Sequence, residues 1–474
     1  MRIYFDKQIF SHLFKGEKES YVKLLDKILI SKQNHIYCYS HAHLEDLKND
    51  KTEIKYEELK FIEKIVDDNY LQYDSIKKET LYYLAKPIDA FKDLENSEEN
   101  LEINLSNIFD EIDYSILDSG QIQQIEFAKK IIQELKFDFN FIQLQNVPEE
   151  ISSTLKKILP IDSEPMNLFD LSQKFMDTNK LMEEDKNVYK GLRNISDKYL
   201  NNGKFTVEYD NIDFNNEMKN SILQKTFIDF VNSNLNPNGD KEVTRYDFFN
   251  SAYFSLDLLG ISKEPTKSVK YRNVLNDGLH SFYGAYCDIV VSDDNGFLKK
   301  TKALYRLLNI ETKVLHIDEF INTFTFTIDG VEKDFNNFLS LLLHDLENAI
   351  IINTKKSIKY NRITIELKPT HNYLGHFNRI DQMIEDNISY IYLYKKIINY
   401  SSYDFYREIE IIVNNCYRLF GLDFNGQEKF SWEIDKKELE INEWSGRFWD
   451  KGEFTLLLDI NVGTNKIGLL LTKK

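Results

Sequence analysis

Four stretches of this chain carry acids where a hard metal ion could be gripped. Asp6 closes the short apolar run 1–5, and Glu45 and Asp46 follow the β-prone run His35–Tyr39. Asp277 opens a helix-like stretch, and Asp293 and Asp294 sit in a turn directly after the β-branched run Asp288–Ser292. In a parallel α/β sheet, ligands bind outside the carboxyl ends of the strands. Acids placed there converge on one cleft, and they cannot all stay ionised without a counter-charge. Mg²⁺ or Mn²⁺ supplies that charge through oxygen-only coordination. An ion so held lowers the pKa of water and neutralises charge developing on a phosphodiester oxygen. The candidate catalytic and metal-binding acids are Asp6, Asp277, Asp294 and one of Glu45 and Asp46, with Asp293 beside them. Glu45 and Asp46 are rivals for one role. A lone Asp at a strand end is usually a cap, so the joint arrangement carries the reading. Asp277 joins the set only if the first turn of its helix faces the same cleft.

The elements that must position these acids alternate strand and helix. The run 1–5 is followed by helix-like stretches from Gln8 to Phe14 and Ser20 to Ser31, then by His35–Tyr39 and a helix that Ser40 can cap. From about residue 50 to 262 long amphipathic stretches take over, such as 53–66, 121–137 and 243–259, which predicts a helical insertion large enough to be a domain. Strand–helix–strand order returns at 271–320, with a helix from Asn276 to Tyr286, the strand Asp288–Ser292, a basic helix from Phe297 to Leu308 and the strand Lys313–Ile317. Beyond residue 325, helices are expected at 335–350, 385–400 and 403–419. A hairpin is expected at the end, with GTNK turning between two apolar runs. The predicted fold class is α/β: a parallel-sheet domain (1–50 and 265–325) split by an all-α insertion (51–264) and followed by an α+β C-terminal domain (326–474).

The stretch from Asp277 to Phe297 resembles the C-terminal signature of the PIN-domain ribonucleases, in which an Asp opens a helix rich in small residues and a strand leads into a Ser/Thr-x-Asp-x-x-Phe turn. Ser292, Asp294 and Phe297 occupy that turn, and His280 lies one turn after Asp277. Ile3–Asp6 resembles the family's first strand, and Ser40–Leu47 the segment with the second acid, where spacing from Ser40 favours Asp46. The resemblance implies a PIN-like fold and a metal-dependent endoribonuclease using Mg²⁺ or Mn²⁺, with RNA as substrate and structured DNA as the alternative. Ser292 would orient a ligand or phosphate, and Lys299, Lys300 and Lys302 would contact substrate. A toxin or phage-defence role, with a protein partner on the insertion or C-terminal domain, would fit the layout. The rival readings are a PIN-fold scaffold without turnover and a flap-type DNA nuclease. The family has a short helical connection where this chain has residues 51–264.

Bulk properties set the remaining bounds. The chain has 474 residues, 42% of them hydrophobic, with 33 Phe and 28 Tyr, which is ample for more than one core. The net charge of −17 opposes non-specific nucleic-acid binding. The charge is uneven, however. Asp93–Asp118 holds nine acids and no Lys or Arg, while Lys299, Lys300, Lys302 and Arg306 lie in an acid-free run and Lys263–Arg272 is also basic. Three scattered cysteines, Cys38, Cys287 and Cys416, read as apolar fillers in a reducing compartment. No apolar leader or run long enough to span a membrane is present, which predicts a cytoplasmic protein without a membrane partner. His41 and His43 lack the spacing of a helical zinc site, and no P-loop motif occurs. Trp432, Trp444 and Trp449 read as core residues.

Overall fold

The computed structural model describes the chain outside residues 99–118, 135, 140–147, 162, 197, 199–212, 262–270, 325–331, 358–360, 386–387, 398, 403 and 462–465. Most of the acidic stretch, most of the basic stretch before Tyr271 and the terminal hairpin's turn therefore lie outside the described residues.

The first segment runs β1 (Arg2–Phe5), α1 (Lys7–Lys15), α2 (Glu19–Ser31), β2 (Ile36–Ser40), α3 (His41–Lys48), α4 (Ile54–Val66), β3 (Asn69–Asp74), β4 (Glu79–Leu84) and α5 (Pro87–Glu98). A helical stretch follows: α6 (Ser119–Glu134), α7 (Glu149–Ile158), α8 (Leu168–Glu184), α9 (Lys186–Ile195), α10 (Phe214–Glu217), α11 (Phe227–Leu235) and α12 (Arg245–Leu258). Then come α13 (Tyr271–Gly284), β5 (Ile289–Ser292), α14 (Asn295–Leu307), β6 (Lys313–His316) and α15 (Ile317–Thr323).

Six of these strands form one sheet in the order β4-β3-β2-β1-β5-β6. All neighbours are parallel except the β3–β4 hairpin. The sheet is thus built from both ends of a discontinuous unit, and strands β1, β2, β5 and β6 fall where the apolar runs place them. Alternation along each strand divides the side chains between two cores. Tyr4, Cys38 and Val290 face α12, α13 and α14 on one side. Ile3, Phe5, Tyr37, Tyr39, Ile289 and Val291 face α1, α2 and α4 on the other. Glycine permits the close packing at the end of α13, since a Cβ on Gly284 would meet Val290 Cγ2 at 2.5 Å.

The insertion is smaller than its sequence suggests. Residues 69–84 read as helical surroundings, yet they form the β3–β4 hairpin at the edge of the sheet. Tyr70, Leu71 and the aromatic Tyr82 pack into the two cores, so tertiary burial overrides a weakly patterned local signal.

The C-terminal part holds a second, antiparallel sheet. Its elements are α16 (Phe335–Asn348), β7 (Ile350–Ser357), β8 (Arg362–Lys368), β9 (Arg379–Glu385), β10 (Ile388–Tyr394), α17 (Tyr406–Phe420), α18 (Asp435–Glu440), β11 (Arg447–Lys451), β12 (Phe454–Asn461) and β13 (Lys466–Lys473). The strand order is β11-β12-β13-β10-β9-β8-β7. The terminal hairpin pairs as expected. The helix expected at 385–400 is instead the β9–β10 pair, because Ile391 and Leu393 alternate into the core rather than recurring at helical spacing. Trp444 and Trp449 are buried, with Trp432 packed against the same core. The three cysteines are buried thiols.

A buried charge cluster joins the two sheets. The Arg2 guanidinium donates to Glu408 at 2.9 Å and lies over the Phe405 ring at 3.8 Å. Lys395 Nζ bridges Asp288 at 3.2 Å and Glu408 at 3.0 Å. Among the described residues, no helix is long and apolar enough to cross a membrane.

Candidate active site

Asp6 and Asp294 occupy the carboxyl ends of adjacent parallel strands because each caps the helix that follows. Asp6 ends β1 and its carboxylate accepts from the Ile9 amide at 3.1 Å, opening α1. Asp294 lies just beyond β5 and accepts from the Phe297 amide at 2.9 Å, opening α14. The fully buried Ser292 joins them: its hydroxyl donates to Asp6 and accepts from the Asp294 amide at 3.0 Å. Burial pushes the Asp6 carboxyl up to about 6, against the lowering influence of Ser292, His280 and the Ile9 amide, while Asp294 adds to the rise. A carboxylate in that position gains from a cation.

Asp46 stands on α3 in a network centred on His280. It accepts from His280 Nε2 at 2.8 Å and from Asn276 Nδ2 at 2.7 Å, both on α13. Burial opposes ionisation, but the hydrogen bond and charge interaction with His280 hold the Asp46 carboxyl below its usual value. His280 Nδ1 lies 2.8 Å from the Tyr4 hydroxyl, which lies 2.7 Å from Ser40 Oγ. Beside it, His43 Nδ1 accepts from the Ser40 amide at 3.0 Å, so its Nε2–H donates to the Phe5 carbonyl at 2.8 Å. Burial lowers the His43 imidazole to about 3, and it is neutral. Tyr4 on β1 and Asp6, the residue just beyond its end, are two positions apart and lie on the same side of the sheet, which brings the His280 network beside the Asp6–Asp294 pair.

The other expected residues divide. Asp293 is held between His12 Nε2 at 3.1 Å and His316 Nε2 at 3.0 Å. Glu45 lies 3.3 Å from His41 Nε2 and 4.0 Å from Arg272, and its carboxyl is lowered chiefly by the His41 contact. Asp277 does not open its helix. Helix α13 begins at Tyr271, so Asp277 is half-buried in the second turn, one turn before His280. Lys300 cannot contact a substrate at the surface: it is fully buried, 3.5 Å from the equally buried Asp257. Helical periodicity turns Lys299 and Lys302 to the half-exposed side of α14. Lys299 is the nearer to the Asp294 end, roughly 6 Å along the axis against about 10 Å for Lys302. Sequence reading gave His12, His316, Tyr4 and Asn276 no part. The i to i+4 spacing of Asn276 and His280 was the available signal.

Among the described residues, no three His, Cys, Asp or Glu side chains are gathered as a ready metal cage. The donor set nonetheless suits Mg²⁺, which is commonly bound through one or two carboxylates and completes its shell with water. Asp6 and Asp294, tied to one serine hydroxyl, meet that requirement. Comparison of the chain with protein-family models, curated proteins and solved structures gives no match.

Proposed function

We propose that the protein is a PIN-type, metal-dependent endoribonuclease. The observation that carries this reading is the Ser292 hydroxyl linking Asp6 and Asp294 at the carboxyl ends of neighbouring parallel strands. Asp6 and Asp294 would hold Mg²⁺ or Mn²⁺, with Asp46 completing the acidic edge. The ion would supply an activated water and neutralise charge on the phosphodiester. Ser292 fixes the spacing of the two acids, and the α1 and α14 amide caps hold each carboxylate in one orientation. His280 keeps Asp46 ionised and aimed, a supporting role like that of partners around other metal ligands. Asp293, held by His12 and His316, stays in the outer shell. Lys299 meets the substrate backbone at the mouth of the cleft.

The test is cleavage of a mixed RNA pool with Mg²⁺ or Mn²⁺, beside EDTA and Asp294→Asn controls, with flap DNA as a parallel substrate. Cutting that needs the metal and Asp294 is the expected result. A folded, metal-supplied protein that leaves RNA intact would overturn the ribonuclease reading, and cutting of the flap alone would reassign the target to DNA.

A further inference from the structure

Strand β7 ends the antiparallel sheet, pairing with β8 on one side only. Its other side is an edge, where backbone N–H and C=O groups point outward. The strand opens on Ile350, Ile351 and Ile352, which are 66%, 63% and 43% exposed. Among the described residues, no other stretch exposes three consecutive large apolar side chains, and none of the three belongs to the core of that sheet. The opposite edge differs: beside β11 the Phe424 amide donates to the Phe448 carbonyl at 2.7 Å.

Edge strands are commonly blunted by lysine, proline or a bulge. In β7 the charge is confined to the far half, at the exposed Lys355 and Lys356, and the register with β8 shifts only after Ile351. Ile350 and Ile351 precede both devices. An apolar edge of this kind is a site for an added strand, which takes up the backbone groups and covers the side chains.

The charges select the strand that fits. β7 contains no acid, but Glu347 stands exposed in the last turn of α16, directly before the strand begins. Parallel pairing of two β7 strands in register would set Lys355 and Lys356 beside the same lysines, which is unfavourable. Antiparallel pairing about a two-fold axis at Ile351 instead sets Ile350 against Ile352 of the other copy. It carries Lys355, four residues or roughly 13 Å from the axis, to the end of the other copy's α16. There the cation meets Glu347 and the last carbonyls of the helix, where positive charge is favoured. Leu343 is 59% exposed one turn before Glu347 and adds apolar surface beside that contact. Each copy offers the other the same patch, so the contact closes on itself.

We propose that β7 joins two copies of this chain in a two-fold dimer, pairing antiparallel about Ile351 so that their seven-stranded sheets become continuous. Lys355 of each copy then faces Glu347 of the other. The proposal does not depend on the chemistry at the acidic cleft.

The experiment is sedimentation velocity on the full chain over a wide range of concentration. Wild type is compared with Ile351→Lys, Lys355→Glu, Glu347→Lys/Lys355→Glu and Ile76→Lys; Ile76 is 91% exposed in the turn between β3 and β4. Expected are a reversible dimer for wild type and Ile76→Lys, and a monomer for Ile351→Lys. Lys355→Glu should associate at least tenfold more weakly, and the charge-reversed double variant should recover. Every substituted side chain is exposed, so far-ultraviolet circular dichroism should match wild type throughout. Four outcomes would overturn the proposal: a monomeric wild type, a dimer that survives Ile351→Lys, a double variant no tighter than Lys355→Glu alone, or open-ended association beyond the dimer.

Discussion

His280 Nε2 lies 2.8 Å from a carboxylate oxygen of Asp46, across 234 residues of sequence. The contact fixes α13 against α3 and defines the charge state of one candidate metal ligand.

It follows that His280→Ala should leave Asp46 in place but poorly held. Removing such a supporting partner typically costs about 10–100-fold in metal affinity or activity, and a loss in that range is expected here. His280→Gln, which keeps a donor, should recover part of it. Asp46→Asn should cost more than either. Mn²⁺ titration followed by paramagnetic relaxation separates the cases, since a merely structural His280 would lower the melting temperature without shifting Mn²⁺ affinity.

Two adjacent lysines on α14 should behave oppositely. Lys299 is half-exposed near the acidic cleft, whereas Lys300 is buried against Asp257, which also accepts from Tyr189 at 2.5 Å. Lys299→Ala should weaken RNA binding and reduce the salt dependence by about one phosphate contact. Lys300→Met should leave binding per folded molecule unchanged and lower stability by roughly 3 kcal/mol, the cost of breaking a buried pair. Equal RNA-binding losses in both variants would contradict this division.

The same pair of lysines marks the limit of what the sequence reveals. Four strands are legible because short apolar runs close at Asp6, Ser40 and Ser292 and a fourth spans Lys313–Ile317. Lys300 is not, since its burial depends on Asp257, which α12 brings over from a remote part of the chain. Asp277 reads as a helix start because no cap residue betrays the earlier beginning at Tyr271. The β3–β4 hairpin is not legible, because its residues alternate weakly between amphipathic stretches and the strand is completed by pairing with the edge of β2. Contacts between distant segments, rather than local pattern, decide each of these.

The ion pair between Arg2 and Glu408 should dominate the coupling between the two sheets. Both side chains are buried, and Glu408 also receives Lys395, so its carboxyl is held well below the usual range despite burial. Arg2→Met strands Glu408 with one cation and should cost about 3–5 kcal/mol. Arg2→Met/Glu408→Leu should recover part of that loss, because the Glu408 carboxylate is no longer stranded, while the buried Asp404, 4.0 Å from Arg2, still loses its cation. Denaturant unfolding of the single and double variants gives the coupling energy. Additive losses would show that the pair does not act as a unit.

Acid sensitivity should follow from the buried histidines. Burial and the neighbouring N-terminal amine lower the His35 imidazole to about 3, while the Asn34 backbone and Asp288 act weakly the other way. Burial likewise lowers His43 and His376 to about 3. An unfolded chain binds these protons near pH 6.5, so between about pH 6.5 and 3 the unfolded state holds more protons than the folded one. Stability is therefore complete above pH 6.5 and falls as the pH drops, by up to ~1.4 kcal/mol per pH unit for each such histidine. His35→Leu keeps the site apolar and removes one titrating group, so its stability between pH 6 and 4 should fall about one third less steeply than wild type among the three. Urea midpoints measured across that range decide it: an unchanged slope would mean that His35 is protonated in the folded protein, with solvent reaching its ring.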